Sequence, residues 1–304
     1  LAFVCTKLAF ELLKIENPTL HFQVGNLATL PLIFPSAPSV RSRVESLAQE
    51  CINIARRDWD SFETSWDFVR HPFLIYGKQV KTVEEAFEKW SAFAEAQFQQ
   101  MKNNEEEINR LFIEIYGLED EMSPEVPDED ITIRRADRER DVRSFISYAV
   151  GCMMGRYSLD VDGLVFAGGN FEPSKYQSFM PDVDGVLPVL DDEYFQDDIV
   201  GRFVEFVKVC FGSAKLEENL DWIAASLGRR ADETSRDTIR RYFLDEFYRN
   251  HVRTYRKRPI YWMFSSGRQK GFQALIYMHR YQKDTVALVR TKYLLGGCPI
   301  IRGN

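Results

Sequence analysis

Seven basic side chains near the C-terminal end of the chain have the types and spacing of a phosphate-binding surface. They are Arg253, Arg256, Lys257, Arg258, Arg268, Lys270 and Arg280. Between Arg249 and Lys292 there are eleven Lys or Arg residues and one acidic residue, whereas the whole chain has a net charge of −7. Cations interleaved with aromatic residues on an acidic protein are typical of a nucleic-acid-binding face. The alternative is that these cations lie over apolar surface or pair with the acidic remainder of the chain.

A β-hairpin over residues 256–281 is predicted to position these cations. Residues 260–264 alternate between two faces with the period of a half-buried strand, and residues 272–281 form a second apolar run. The sequence SSGRQKG at 265–271 lies between them and provides glycines for positive φ angles. Pro259 stands where a strand can begin without a backbone N–H. The hairpin would then have a basic tip and a basic approach.

Other residues that could do chemistry lack the spacing that chemistry requires. Five carboxylates precede a helix predicted from Ile199, where the helix dipole favours negative charge: Asp191, Asp192, Glu193, Asp197 and Asp198. A metal-dependent nuclease built on them is a minor alternative, because no histidine or lysine completes the pattern. The four histidines have no metal-ligand spacing, and there is no G-x-S-x-G, P-loop or C-x-x-C motif. No catalytic, cofactor-binding or metal-binding residue is predicted.

Composition indicates a folded globular protein. The chain has 304 residues, of which 45% are hydrophobic and 13% aromatic, enough for a sizeable core and two units. Five scattered cysteines predict neither a disulfide framework nor a zinc site and favour a reducing, cytoplasmic location. No apolar run approaches the roughly 18 residues of a membrane helix. Because the chain begins at Leu1 in what reads as mid-helix, we expect a piece of a longer protein.

The predicted fold is α+β and predominantly helical, a helical bundle followed by a mixed unit with a small antiparallel sheet. Residues 21–34 are interpreted as a short strand and turn. An apolar seam from Val40 to Ile54 predicts a helix that packs on a partner helix. Two further helices are predicted from Thr82 to Met101 and from Ile108 to Gly117.

The second half of the chain is predicted to begin after residues 119–130, an acidic, proline-bearing stretch. Residues 163–167 and 186–190 are predicted strands. Helices are predicted at 134–150, 199–211, 216–227, 235–248 and 284–295, with the basic hairpin between the last two.

Several separate stretches resemble one protein family. They are HFQVGNLATLPL at 21–32, NRLFIEIYGL at 109–118, SFISYAVGCMMGRY at 144–157, and RPIYW at 258–262 with ALIYMHRY at 274–281. Together, and in this order, they resemble the C-terminal portion of large adenine-specific DNA methyltransferases. The methyltransferase of the BREX (bacteriophage exclusion) defence system is the most similar, and the type IIG restriction–methylation enzymes are related.

This resemblance implies a DNA-binding, target-recognition-associated segment of an N6-adenine methyltransferase that uses S-adenosylmethionine. The family's Asn-Pro-Pro-Tyr motif and glycine-rich cofactor loop lie upstream of such a segment and are absent here. The expected organisation is the end of the target-recognition region with a linker at 1–38, a helical bundle at 39–118, and a mixed unit at 131–304 that contains the hairpin. The expected partner is double-stranded DNA, and no association with a membrane is expected. The alternative is a protein-interaction module that docks other phage-defence proteins.

Overall fold

The computed structural model describes residues 1–17, 22–268 and 270–296. The α-helices are α1 (Lys7–Glu16), α2 (Val24–Thr29), α3 (Pro38–Asp60), α4 (Pro72–Tyr76), α5 (Val83–Tyr116), α6 (Arg138–Met153), α7 (Ile199–Phe211), α8 (Leu216–Ser226), α9 (Ser235–Tyr242), α10 (Tyr248–Thr254) and α11 (Thr285–Leu288). The strands are β1 (Val186–Pro188), β2 (Tyr261–Ser265) and β3 (Gln273–Tyr277). Single 3-10 turns occupy Phe3–Cys5, Asp128–Asp130, Pro173–Lys175 and Met278–Arg280, and π-helical turns at Phe243–Phe247 and Val289–Leu294 extend α9 and α11. The protein is α+β and predominantly helical, as predicted.

The chain forms two compact units that are interleaved in sequence. The first comprises Leu1–Trp59 and Ala92–Arg135, and the second comprises Asp60–Ser91 and Ala136–Asn304. Residues 119–130, where we predicted a boundary, lie within the first unit. The division into 1–38, 39–118 and 131–304 stays a prediction.

The core of the first unit lies along a seam between α3 and α5. Val44 and Leu47 of α3 are buried in one cluster with Ile108 and Phe112 of α5, together with apolar residues from the start of the chain. The spacing of the seam by three and four residues predicts this face, because such positions lie on one side of a helix.

Residues 119–130 are mostly exposed, but several contacts hold them against the first unit. The side-chain amide of Asn109 donates to the carbonyl of Pro124 at 3.1 Å, and Lys102 pairs with Asp128 at 2.7 Å. Val126 is buried in a second cluster that includes Ile54 and Phe98. The charge and prolines of this stretch therefore did not indicate where its backbone would pack.

Two predictions in the N-terminal half are wrong. Residues 24–29 are helical, not a strand, because Gln23 and Asn26 each bond the other's backbone N–H in a capping box; His21 lies outside the described residues. The predicted break between two helices near residue 104 is absent, and α5 runs through a polar segment that contains neither Gly nor Pro. The helix ends as predicted, at Gly117, which has a φ of 66°.

The second unit contains a three-stranded antiparallel sheet in the order β1-β3-β2. Tyr261 pairs with Tyr277 and Ser265 with Gln273, which confirms the hairpin, and β1 pairs on the other side of β3. Residues 163–167 are not a strand. Their amides bond instead to loop carbonyls, as when Gly163 donates to Val69 at 2.8 Å.

The acidic stretch before α7 serves to start that helix. Asp198 accepts hydrogen bonds from the amides of Val200 at 3.0 Å and Gly201 at 3.1 Å, and it pairs with Arg240 at 2.9 Å. No group of His, Cys, Asp and Glu side chains within residues 1–17, 22–268 and 270–296 has the arrangement of a metal site.

Candidate nucleic-acid interface

Five of the seven predicted phosphate-binding residues are exposed. They are Arg253, Arg256, Lys257, Arg258 and Arg268. The first four lie in the C-terminal turn of α10 and in the segment that leads to β2, whereas Arg268 lies in the loop between β2 and β3. Across the described parts of the chain, none of the five has an ion pair with an acidic side chain. They are therefore available to an external anion.

The turn that carries Arg256 and Lys257 has an uncommon backbone conformation. Their φ angles are 49° and 64°, in the left-handed region that non-glycine residues seldom adopt. Each such residue costs on the order of 1–3 kcal/mol unless the surrounding structure compensates. We call residues 253–258 the basic turn. Its backbone is closed by a hydrogen bond of 2.8 Å from the amide of Lys257 to the carbonyl of Val252.

A side chain that the sequence did not single out spans the basic turn. The Nε2 atom of His251, in α10, accepts hydrogen bonds from the amide of Ile260 at 3.0 Å and from that of Tyr261 at 3.2 Å. His251 is buried, with 3% exposure. One imidazole thus joins the residues before and after the basic turn. A lone histidine in a helix gives no local sequence signal for this role.

Lys270 and Arg280 contact the protein itself. Lys270 pairs with Asp245 and donates to the carbonyl of Leu244 at 3.2 Å. Arg280 donates to the carbonyls of Asp182 at 2.6 Å and Val183 at 2.7 Å. Burial lowers the pKa of its guanidinium. These two cations follow the alternative prediction, in which basic residues pair with the rest of the protein.

An exposed aromatic residue follows the basic turn. Trp262 lies in β2, which is the edge strand opposite β1, and the residue is 54% exposed. Ile260, two residues earlier, accepts a hydrogen bond of 3.0 Å from the amide of Met278. Exposed cations and an exposed indole are therefore both present between residues 253 and 268, and their joint role in binding stays a prediction.

Among the helices within residues 1–17, 22–268 and 270–296, none combines the length and the apolar character needed to span a lipid bilayer.

Comparison with known proteins identifies relatives over nearly the whole chain. No model of a known protein family matches it. It is 47% identical over 300 residues to the adenine-specific methyltransferase PglX of Lacticaseibacillus casei (strain Zhang), which covers 97% of the chain and 24% of that protein. It is 36% identical over 305 residues to the adenine-specific methyltransferase BrxX of Escherichia coli O9:H4 (strain HS), covering 91% of the chain and 25% of that protein.

The chain spans about a quarter of the length of these curated relatives. The two matches cover 97% and 91% of the chain, so the sequence resemblance is confirmed. The chain corresponds to the C-terminal portion of the adenine-specific methyltransferases of BREX systems.

Proposed function

We propose that this chain is a DNA-binding segment of a phage-defence methyltransferase that modifies adenine at N6 in double-stranded DNA. The observation that carries the proposal is the exposure, without acidic partners among the described residues, of the cations of the basic turn and of Arg268. Two relatives with an adenine-specific methyltransferase activity in their names support DNA as the polyanion. Contacts from such residues go mainly to phosphates, and they set the position and orientation of the protein on the duplex.

The methyl donor of the whole enzyme is proposed to be S-adenosylmethionine, bound outside this chain. The residues present here do not fit that cofactor. Gly168 and Gly169 have positive φ angles but lie in an irregular segment, not between a strand and a helix as a nucleotide-binding glycine loop does. There is also no Pro-Pro sequence in the chain. We therefore derive no methyl-transfer step from these residues.

Salt dependence is the property that distinguishes phosphate contacts from apolar contacts. Each phosphate that a protein neutralises contributes roughly 0.9 to the slope of log affinity against log salt on duplex DNA. If all five exposed cations contact phosphates, they contribute a slope of about 4.5. The affinity should also change little between duplex sequences, because phosphate contacts do not report base identity.

The experiment is a salt titration of duplex binding by the wild-type chain and by the double variant Arg258→Gln/Arg268→Gln. We expect the slope to fall by about 1.8, with similar weakening on every duplex tested. The matched control is Lys78→Gln/Lys89→Gln, which removes two exposed cations from the same unit away from the hairpin sequence. Equal slopes for the wild type and the Arg258/Arg268 variant would contradict the proposal.

A second candidate function is protein interaction, as the docking module of other defence proteins. It is favoured by an apolar surface in the first unit, where Leu32, Ile33 and Phe34 are 42%, 46% and 68% exposed. The hydroxyl of Tyr116 holds this segment by accepting from the amide of Ile33 at 3.0 Å and donating to the carbonyl of Pro31. Weak, salt-independent DNA binding by the wild-type chain would favour this function.

A further inference from the structure

We infer that His251 is the positioning residue of the basic turn: it contacts no DNA, but its imidazole holds the backbone that presents Arg256, Lys257 and Arg258. This inference rests on the proposed DNA-binding function. The basic turn needs such support because two of its residues have left-handed φ angles, a conformation that persists only where the surroundings impose it.

His251 precedes the basic turn, and its hydrogen bonds reach the residues that follow the turn. The residue belongs to α10, and its Nε2 atom receives the amides of Ile260 and Tyr261, which follow the turn and begin β2. Four of the five exposed cations, Arg253 and the three at 256–258, lie within this closed segment. Loss of the acceptor would leave two backbone N–H groups without their bonds and the turn without its tie to β2.

The role requires a neutral imidazole with its proton on Nδ1, because a protonated Nε2 cannot accept. The surroundings favour the neutral imidazole, and the two amides that donate to Nε2 select the tautomer. Burial lowers the pKa of His251 to about 3, and the positive charge of Arg156 acts in the same direction. Arg156 is itself held by the hydroxyls of Tyr157 at 3.1 Å and Tyr277 at 3.3 Å.

The side chains around the imidazole fix its orientation. The rings of Tyr255 and Tyr261 each lie 4.7 Å from it, between ring centres. Tyr261 is fully buried. Burial raises the pKa of the Glu63 carboxyl, and the hydroxyl of Tyr255 acts on that carboxyl in the opposite direction. The Glu63 carboxylate accepts a hydrogen bond from Ser147 of α6. The imidazole therefore lies between two tyrosine rings, of which Tyr261 is held in β2.

The experiment compares two substitutions of His251 in the full 304-residue chain. His251→Phe keeps a ring but removes the acceptor, whereas His251→Gln can place an oxygen near the position of Nε2. Duplex DNA binding is measured at several salt concentrations, together with amide hydrogen exchange at Ile260 and Tyr261. The control is His279→Phe, at an exposed histidine that follows β3.

For His251→Phe we expect exchange at both amides to accelerate by about tenfold or more and DNA affinity to fall by about tenfold, from the loss of one acceptor shared by two donors. The salt slope should fall as well, by about 0.9 for each turn cation that leaves its phosphate. His251→Gln should restore exchange and binding to within about threefold, and His279→Phe should change neither. Unchanged exchange and binding in His251→Phe would overturn the inference.

A measurement on the wild type keeps the inference testable if His251→Phe does not fold. The 15N chemical shifts of the imidazole at neutral pH should show a protonated Nδ1 and an unprotonated Nε2; a proton on Nε2 would overturn the role. Failure of the proposed function is recognised separately, since in that case the wild type itself shows no salt-dependent DNA binding. The exchange and tautomer measurements do not depend on DNA.

Discussion

The indole N–H of Trp90 donates a hydrogen bond of 2.9 Å to the carboxylate of Asp141, and both side chains are buried. The same carboxylate oxygen accepts from the amide of Asp137 at 3.0 Å, and the other oxygen pairs with Arg140 at 2.7 Å. Asp137 is the N-cap of α6. One carboxylate thus joins the start of α6 to α5 within the second unit.

Replacement of Asp141 by alanine should lower the free energy of unfolding by about 2–4 kcal/mol, because it removes the hydrogen-bond acceptor of the Trp90 indole and the Asp137 amide and the ion-pair partner of Arg140. Urea denaturation measures the effect. The control is Asp162→Ala, which removes a pair with Arg70 in which Asp162 is 68% exposed and should cost less than about 1 kcal/mol. Equal losses in the two variants would contradict the assignment of Asp141 as a buried junction.

Two buried histidines should make the protein sensitive to acid. Burial lowers the pKa of both His71 and His251 to about 3. In the unfolded chain, these histidines bind protons at about pH 6.5. Their contribution to the free energy of unfolding should therefore be fully present above that pH, and it should be lost as the pH falls toward the lowered pKa values. The loss is up to about 1.4 kcal/mol per pH unit for each histidine.

The measurement is the urea midpoint at neutral pH and at about pH 5, between the folded and unfolded pKa values, for the wild type and for His71→Asn/His251→Gln. In the wild type, Nδ1 of His71 accepts from the amide of Phe73, and Nε2 of His251 accepts from the two amides after the basic turn. The side-chain amide oxygens of the new Asn and Gln residues can accept from the same N–H groups. Other titrating groups are the same in both proteins. The variant should therefore lose less stability between the two pH values, and an identical loss would contradict the prediction.

Asp182 should produce the opposite dependence on pH. Burial raises the pKa of its carboxyl, and the hydrogen bond and charge of Asp184 add to this effect. A raised pKa in the folded state contributes stability at low pH, below about 3.9, which is lost as the pH rises through the raised value. Asp182→Asn should remove this loss. Its amide oxygen can still accept from the amides of Gly185 and Val186, which lie 2.6 Å and 3.2 Å from the carboxylate oxygen of the wild type.

Thermal unfolding of wild type and Asp182→Asn at about pH 6 and about pH 8.5, on either side of the raised value, tests this prediction. We expect the difference in Tm between the two pH values to be smaller in the variant. Asp162→Asn, at an exposed position, is the control and should follow the wild type. A variant with the wild-type pH dependence would exclude Asp182 as the group responsible.

Two helical glycines should respond to alanine in opposite ways. A Cβ at Gly151 in α6 would lie 2.4 Å from Cδ2 of the buried Tyr157, so Gly151→Ala should destabilise the protein by about 1–3 kcal/mol. A Cβ at Gly201 in α7 would come no closer than 3.4 Å, to a side-chain oxygen of Glu193. Gly201→Ala should gain up to about 1 kcal/mol from helix propensity. Shifts of Tm in the same direction would contradict the predicted clash at Gly151.

The hairpin could be predicted because its signals are local. Residues 260–264 alternate, a glycine-containing loop follows, and Tyr261 and Tyr277 pair as that pattern requires. The partners of its cations could not be predicted in the same way. Arg280 donates to carbonyls near residue 182 and Lys270 pairs with Asp245, and neither contact has a periodic sequence signal.

Errors elsewhere have similar causes. The polar residues near 104 suggested a helix break, but Asn104 is buried within α5 and accepts from Gln100 at 2.9 Å. The acidic residues of 119–130 suggested a linker, whereas contacts with Lys102 and Asn109 hold it in the first unit. Composition reflects the average exposure of a segment, but it does not show which side-chain bonds hold that segment in place.

The interleaving of the two units limits how the protein can be divided. The chain passes from one unit to the other after Trp59, after Ser91 and after Arg135. A single cut at any peptide bond therefore leaves at least one unit split between two fragments. Cleavage within 119–130 would separate the last part of the first unit from α1, α3 and α5, and the fragments would have to stay associated to preserve its core. Either unit can be isolated as one polypeptide only by deleting the other's segment and rejoining the chain.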